Sequence, residues 1–314
     1  MHIRKLVKSG YSSMVIAVPK EWLEKNKLKA GNLIYVEEDN NKLIISPELK
    51  RKTAKTDEKI INVDGKTLRI IQRDIHSAYL DNYSYIVIKG KELKKIAKSV
   101  KKMISGLVAL EVVEDSSEKI IAKSFLDIYD IDIKILIRRM DNIIRSMIID
   151  TYTVFEDKTI VDMLMDRDEE LNRLSYLLYK ILKVSNNDKS IANALGITDM
   201  DLLRYWELNG HMEKIGDRIK QIASLLPKLK PSYKTKFINL FSKIEEIYKD
   251  AIISFHNLSL ELSDTVSSKR WILNDILEEY IKTSNSPIFS EIMVNAFNML
   301  THINDIGRIV RYAV

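Results

Sequence analysis

The stretch that decides the fold is residues 212–219, Met-Glu-Lys-Ile-Gly-Asp-Arg-Ile, because a related stretch returns as residues 303–309, Ile-Asn-Asp-Ile-Gly-Arg-Ile. Aligning the two Ile-Gly pairs places Glu213 over Asn304 and Asp217 over Arg308. An internal repeat of this kind indicates a duplicated structural unit. The acidic pair is present in the first copy only, so the two units are predicted to share a fold but not a chemistry.

The sequence around both copies is helical from Asp130 onward. Six segments with apolar residues at helical spacing cover about 130–155, 159–183, 199–226, 234–264, 267–283 and 287–313, and the breaks at 186–188, 227–231 and 285–287 contain turn-forming Asn, Asp, Ser and Pro. They predict two three-helix units, 130–226 and 234–314. Gly216 and Gly307 lie inside helices, where glycine costs about 1 kcal/mol relative to alanine, so close helix packing is expected at both.

The first 50 residues form a segment that differs from the helical part, because it is basic and its apolar runs are short and β-rich. A strand is predicted over 14–18 between Gly10 and Pro19, then a short helix over 20–27 and two strands near 33–36 and 43–45. A chain of this size buries too little surface to close a core alone. We therefore expect this module to form dimers.

A small α/β domain is predicted over residues 60–127, after a charged linker at 48–59. Its strands are expected near 60–63, 85–88, 110–113 and 119–123 and its helices near 66–80 and 92–104. It contains no glycine-rich phosphate loop. The predicted fold class is therefore mixed and predominantly α, with an N-terminal β-rich domain, a middle α/β domain and a C-terminal pair of three-helix bundles.

Composition excludes several kinds of site. The chain has no cysteine, which rules out disulfides, thiolate metal sites and a cysteine nucleophile. None of its five histidines forms a metal-ligand pair at i, i+4 spacing or a nucleophile arrangement. No apolar run approaches the roughly 20 residues that span a bilayer, so we expect a cytoplasmic protein without membrane insertion.

The N-terminal module resembles the AbrB/MazE/SpoVT family of swapped-hairpin DNA-binding domains. The resemblance rests on Arg4-Lys5, Ser9-Gly10, the apolar strand that ends before Pro19, Trp22, Leu28 and Gly31. Asn32 stands where the family usually has Asp. The resemblance implies that Arg4, Lys5, Lys8 and Lys20 bind DNA. Residues 1–36 hold seven Lys or Arg against two acids, a charge balance that favours phosphate contact, whereas Lys25, Lys27 and Lys29 are expected to form a solvated helix edge.

The helical part, about 130–314, resembles PhoU, the regulator of phosphate uptake. In that family acidic residues at i, i+4 bind metal ions on the bundle surface. The resemblance implies a divalent or iron-type metal ion in the first helical unit, bound by Glu213 and Asp217 with Asp168 and Asn172 as a partner motif. The alternative is a solvated helix face on which Lys214, Arg218 and Lys220 form weak ion pairs.

Together the resemblances imply a DNA-binding transcriptional regulator of phosphate uptake, a homodimer or higher homo-oligomer, that senses phosphate status or the phosphate transporter. In the alternative, the protein docks on the ATPase subunit of the phosphate ABC transporter and the N-terminal module serves only for dimerisation. An enzyme is the competing class, as a metal-dependent hydrolase using Glu213 and Asp217. The absence of a catalytic arrangement among the histidines favours a non-enzyme.

Overall fold

The computed structural model describes residues 3–11, 13–39, 42–47 and 57–312. Internal contacts divide the chain into two compact units, Met1–Thr56 and Asp57–Val314. The predicted linker at 48–59 lies largely outside the described residues. Its last residues belong to the second unit, where a strand already begins at Glu58.

The first unit consists of two short hairpins around one helical turn. Its elements are β1 (Val7–Ser9), β2 (Ser13–Val15), α1 (Lys20–Lys25), β3 (Tyr35–Asp39) and β4 (Lys42–Ser46). β1 and β2 pair antiparallel with Lys8 opposite Met14, and Gly10 takes the positive φ of 75° that the turn between them requires. β3 and β4 form the second antiparallel pair. Among the side chains of this unit whose exposure is described, none is buried, so the hairpins do not enclose a core within one chain.

The second unit begins with a four-stranded sheet. Its elements are β5 (Glu58–Asn62), α2 (Leu68–Leu80), β6 (Tyr85–Lys89), α3 (Leu93–Ser105), β7 (Leu110–Asp115) and β8 (Lys119–Ser124). The strand order is β5-β6-β8-β7, with β5 and β6 parallel and the other two pairings antiparallel. Thr67 caps α2 through a hydrogen bond accepted from the Ile70 N–H. The buried faces of both helices cover the sheet and form one apolar core with it.

Helices make up the remainder of the second unit. They are α4 (Ile133–Thr153), α5 (Ile160–Asn187), α6 (Lys189–Ala194), α7 (Asp199–Leu225), α8 (Lys234–Asn257), α9 (Leu260–Thr283) and α10 (Pro287–Ile309). None of the helices in the described ranges combines the length and the apolarity that crossing a membrane requires. The prediction of a mainly helical chain with an N-terminal β-rich part is confirmed.

The long helices pack as two groups that meet along one seam. α4, α5 and α7 contact one another, as do α8, α9 and α10, and the most extensive helix pair is α7 with α10. A single apolar core runs through both groups. The sheet adjoins the first group through α2 and α5, where the His76 ring lies 4.3 Å from the ring of Tyr176. The last helix of each group therefore forms the seam between the groups.

The predicted boundary between the fourth and fifth long helices, 264 to 267, is wrong. α8 ends at Asn257 because Leu258 adopts a left-handed conformation with φ of 52°. Ser259 then caps α9 by accepting a hydrogen bond from the Leu262 N–H. Earlier in the chain, α5 continues to Asn187 rather than 183, and Asp188 caps the short α6, which the sequence did not predict.

Gly216 and Gly307 do mark close packing inside helices, as predicted. A Cβ atom at Gly216 would lie 2.3 Å from Cδ2 of Leu171 on α5. At Gly307 it would lie 3.3 Å from Cγ1 of Val266 on α9. Each glycine thus lets the last helix of its group approach the middle helix closely.

Candidate functional site

The repeated sequence lies on α7 and α10, and its apolar residues fix which side chains face the seam. Met212 and Ile215 on α7 and Ile303 and Ile306 on α10 are fully buried. These residues recur at helical spacing and form one apolar stripe on each helix, and the two stripes pack against each other. Of the polar residues between them, Glu213 and Asp305 are half-buried at the edge of the seam.

The predicted acidic cluster does assemble, but around a lysine. Nζ of Lys220 lies 2.5 Å from Oδ2 of Asp168 and 2.7 Å from Oδ1 of Asp217. Nδ2 of Asn172 also donates to Oδ2 of Asp168, at 3.2 Å. Burial works to lower the pKa of Lys220, but the hydrogen bonds to the two aspartates outweigh it and raise that pKa. The ammonium is therefore charged at neutral pH and lies between the two carboxylates.

Glu213 lies on the same helix as Asp217, near enough for the charges of Asp217 and Asp168 to act on it. Burial, reinforced by the negative charges of Asp217 and Asp168, raises the pKa of Glu213. Oδ1 of Asp168 is buried and has no hydrogen-bond partner. Even so, these side chains do not fit a metal ion as arranged, because Lys220 already neutralises two of the acids. The metal site at Glu213, Asp217, Asp168 and Asn172 stays a prediction.

A second cluster lies across the α7–α10 seam. Nδ1 of His211 is 3.4 Å from Nδ1 of His302, and a carboxylate oxygen of Asp305 lies within 4.8 Å of a ring nitrogen of each histidine. All three residues are half-buried. Among the residues that the structure describes, this is the one group of three or more His, Asp or Glu side chains that converges so closely.

The electrostatics of this second cluster keep both rings uncharged. Burial lowers the pKa of His211, although the Asp305 carboxylate opposes the shift. Burial, followed by the charges of His211 and Lys214, lowers the pKa of His302 to about 4. Both imidazoles are neutral at pH 7, and neutral imidazole is the form that binds metal ions.

Sequence reasoning missed this cluster, although the repeat contained its signal. His211 and His302 are 91 residues apart in the chain, so no local spacing pairs them. The alignment of the two Ile-Gly pairs, however, places His211 over His302 and Lys214 over Asp305. Because α7 and α10 pack against each other as equivalent helices, residues at equivalent positions meet at the seam.

The predicted DNA-binding residues are exposed on the first unit. Arg4 and Lys5 precede β1, Lys8 lies within it, and Lys20 opens α1. Lys20 forms an ion pair with Glu24 at 3.6 Å, one helical turn away on the surface. Their exposure leaves the charges accessible, and their role in DNA binding stays a prediction.

Comparison with known families matches two segments of the chain. A family model described as PhoU domain matches residues 137–226, and one described as "Antidote-toxin recognition MazE, bacterial antitoxin" matches residues 7–53. No curated protein and no solved structure matches the chain. The chain thus carries a MazE-type domain followed by a PhoU domain, as the sequence resemblances implied. These are regulatory domain families, associated with DNA binding and with phosphate homeostasis respectively.

Proposed function

We propose that the protein is a DNA-binding transcriptional regulator of phosphate uptake. In this proposal the N-terminal unit binds DNA as a dimer, and the helical part senses phosphate status or the state of the phosphate transporter. The observation that carries the proposal is the presence of both matched domains in one chain, a MazE-type domain at 7–53 and a PhoU domain at 137–226. In such a regulator the PhoU domain would sense phosphate status, and the MazE-type domain would respond by binding or releasing DNA.

Dimerisation is supported by the apolar surface of the first unit. Ile3, Leu6, Met14 and Leu33 are more than half exposed, although they belong to a small unit in which no described side chain is buried. Surfaces of this kind are normally covered by a partner. Strand exchange with a second chain would bury them and supply the core that one chain lacks.

DNA contact is assigned in this proposal to Arg4, Lys5 and Lys8, with Lys20 as a further contact. The first three lie at or beside β1, so pairing of two chains would present two copies of the basic group. Lys20 is partly neutralised by Glu24 and is expected to contribute less. Phosphate contacts of this type release counterions, and binding therefore weakens steeply as salt rises.

The test compares two triple variants of the full-length chain. Arg4→Ala, Lys5→Ala, Lys8→Ala should weaken DNA binding and flatten the salt dependence by about 0.9 in log–log slope for each DNA phosphate that is no longer neutralised. Lys25→Ala, Lys27→Ala, Lys29→Ala removes the same charge from the same unit and is the matched control. Fluorescence anisotropy across a salt series measures both. Unchanged binding by the first variant would contradict the proposal.

Docking on the ATPase subunit of the phosphate transporter is the second candidate, favoured by the PhoU domain at 137–226. The N-terminal unit would then serve for dimerisation alone. In that case the Arg4, Lys5 and Lys8 triple variant should restrain phosphate uptake as well as the wild type does. It should also retain full binding to the purified ATPase subunit.

The proposal also includes the metal ion predicted for the first helical unit, provided that the ion can displace Lys220. A cation bound by Glu213, Asp217, Asp168 and Asn172 must displace the ammonium of Lys220 from Asp168 and Asp217. Metal analysis of the purified protein beside Asp217→Ala tests it. Equal metal content in the two proteins would remove this site.

A further inference from the structure

We propose that His211, His302 and Asp305 bind one divalent transition-metal ion of the Zn²⁺ class, which bridges α7 and α10. This site lies beyond the proposed function and shares no residue with the acidic set on α5 and α7. It joins the last helix of the first helical group to the last helix of the second.

The spacing of the ring nitrogens fits such an ion. Zn²⁺ binds imidazole nitrogen at about 2.0–2.1 Å in tetrahedral geometry, which places neighbouring ligand atoms about 3.3–3.4 Å apart. The two Nδ1 atoms are 3.4 Å apart, which matches the spacing of two ligands of one such ion. Asp305 supplies the third ligand from the same region, since its carboxylate oxygen lies within 4.8 Å of the ring nitrogens.

The ligand chemistry selects the kind of metal. Two imidazole nitrogens and one carboxylate oxygen suit Zn²⁺ and its neighbours among divalent transition metals, whereas Mg²⁺ and Ca²⁺ prefer oxygen ligands alone. Three protein ligands leave one tetrahedral position for water. Half-burial of all three residues shields the ligands and still leaves a path for the ion.

A hydrogen bond between the two rings is the competing explanation for their approach. At 3.4 Å the nitrogens are farther apart than the 2.7–3.2 Å that is typical of N–H donors. A ring-to-ring hydrogen bond also gives no role to Asp305. Convergence of two imidazole rings and a carboxylate is what a cation site requires.

The neighbouring charges set a limit on affinity. Lys214 is exposed on α7, close enough for its charge to act on both histidines, and it opposes a bound cation. Arg308 forms an ion pair with Asp305 at 3.7 Å, one helical turn away. Both are long, partly exposed side chains that can turn toward solvent when the ion enters.

The experiment measures zinc binding by the full-length chain after chelator treatment and desalting. Equilibrium dialysis against Zn²⁺, read by elemental analysis, should give a site on the wild type that His211→Leu and His302→Leu each weaken by about 100-fold or more. Even outer-shell partners of metal ligands cost about 10–100-fold when they are replaced, so direct ligands should cost at least as much. Asp305→Asn should weaken it by about tenfold or more.

Two controls separate this site from other binding. His256→Leu removes an exposed histidine of α8 and should leave zinc affinity unchanged. Asp275→Asn removes an exposed carboxylate of α9 and should also leave it unchanged. Circular dichroism of each variant in chelator shows whether it folds, and Asp305→Asn, which keeps the size of the side chain, provides a second route if a histidine variant does not.

Cobalt provides an independent readout. Co²⁺ bound in place of Zn²⁺ should give the intense visible absorption of a tetrahedral site, and His302→Leu should abolish it. A wild type that binds no zinc, or histidine variants that bind it as tightly as wild type, would overturn the proposal. DNA binding by the N-terminal unit does not enter these measurements, so the two proposals can fail separately.

Discussion

The ammonium nitrogen of Lys180 lies 4.2 Å from the centre of the Tyr79 ring, inside the contact between the helical part and the α/β part of the second unit. Lys180 on α5 is fully buried and donates a hydrogen bond to Oγ of Ser124 on β8, at 3.2 Å. Tyr79 on α2 is also fully buried and donates its hydroxyl to the carbonyl of Val108. In the described part of the chain, burial alone shifts the pKa of Lys180, and no carboxylate charge acts on it.

Replacing Lys180 by methionine should stabilise the protein at pH 7. Burial lowers the pKa of Lys180 to about 8, so its charge is held in the folded state at a cost of about 3 kcal/mol. The cation–π contact with Tyr79 offsets about 1–2 kcal/mol of this. We expect Lys180→Met to raise the free energy of unfolding by about 1–2 kcal/mol, measured by urea denaturation.

The stability advantage of Lys180→Met over the wild type should decrease as the pH rises above about 8. Between about pH 8 and the ordinary lysine pKa of 10.5, the unfolded wild type binds a proton that the folded wild type does not. Wild-type stability from this group therefore rises with pH across that window, and the advantage of Lys180→Met should shrink. Lys183→Met, on the same helix but with 41% of its side chain exposed and with Asp81 as its ion-pair partner, is the control and should show no such trend. A loss of stability in Lys180→Met at pH 7 would contradict this account.

Gly216 and Gly307 should respond differently to alanine. At Gly216 the new Cβ would overlap Leu171, which is itself fully buried and has little room to move. Overpacking of this kind costs about 1–3 kcal/mol and outweighs the helix-propensity gain of about 1 kcal/mol. At Gly307 the contact with Val266 is only slightly tight, and the two effects should nearly cancel. Thermal denaturation should therefore rank Gly216→Ala clearly below Gly307→Ala, and the reverse order would contradict this description of the packing.

Much of the fold could be predicted because helix starts and ends depend mainly on residues that are close together in the chain. Thr67 and Ser286 cap α2 and α10, whose starts the sequence placed to within about two residues. The α8–α9 boundary was missed because Leu258, a residue that rarely takes a left-handed conformation, forms the turn without Gly or Pro. Only the surrounding packing can impose that conformation, and the sequence does not display it.

The site was predicted less well, because its contacts join distant residues. The sequence placed Lys220 among weak surface partners, but the fold sets it against Asp168, a carboxylate only 2% exposed. Likewise, the His211–His302 pair depends on two helices of different groups meeting at equivalent positions. A helical pattern predicts which face of its helix a residue occupies. It does not predict which other helix packs against that face, because that depends on the tertiary fold.

The repeat suggests a substitution that should strengthen the proposed zinc site. Lys214 on α7 occupies the position equivalent to Asp305 on α10. Lys214→Asp removes a repelling cation and supplies a fourth ligand beside the two histidines, completing a tetrahedral set. We expect zinc affinity to rise by about tenfold or more in a competition titration with a chromogenic chelator. Lys243→Asp makes the same charge change at an exposed position of α8 and should leave the affinity as it is.

The Lys220–Asp168 contact should carry far more stability than an ordinary surface ion pair. Lys220→Met leaves the Asp168 carboxylate, whose side chain is 3% exposed, without its ammonium partner. Breaking a buried pair on one side costs about 3–5 kcal/mol, and the partial exposure of Lys220 places the expected loss near the lower end of that range. Urea denaturation at pH 7 measures it.

A double-mutant cycle separates the ion pair from the packing of the lysine stem. Asp168→Asn combined with Lys220→Met removes the stranded charge, so the double variant should be more stable than Lys220→Met alone. Lys282→Met breaks an exposed pair with Glu278 at 3.0 Å and should cost at most about 0.5 kcal/mol. If Lys220→Met cost no more than Lys282→Met, the ammonium would not be stabilising Asp168, and the cluster would be an ordinary solvated helix face.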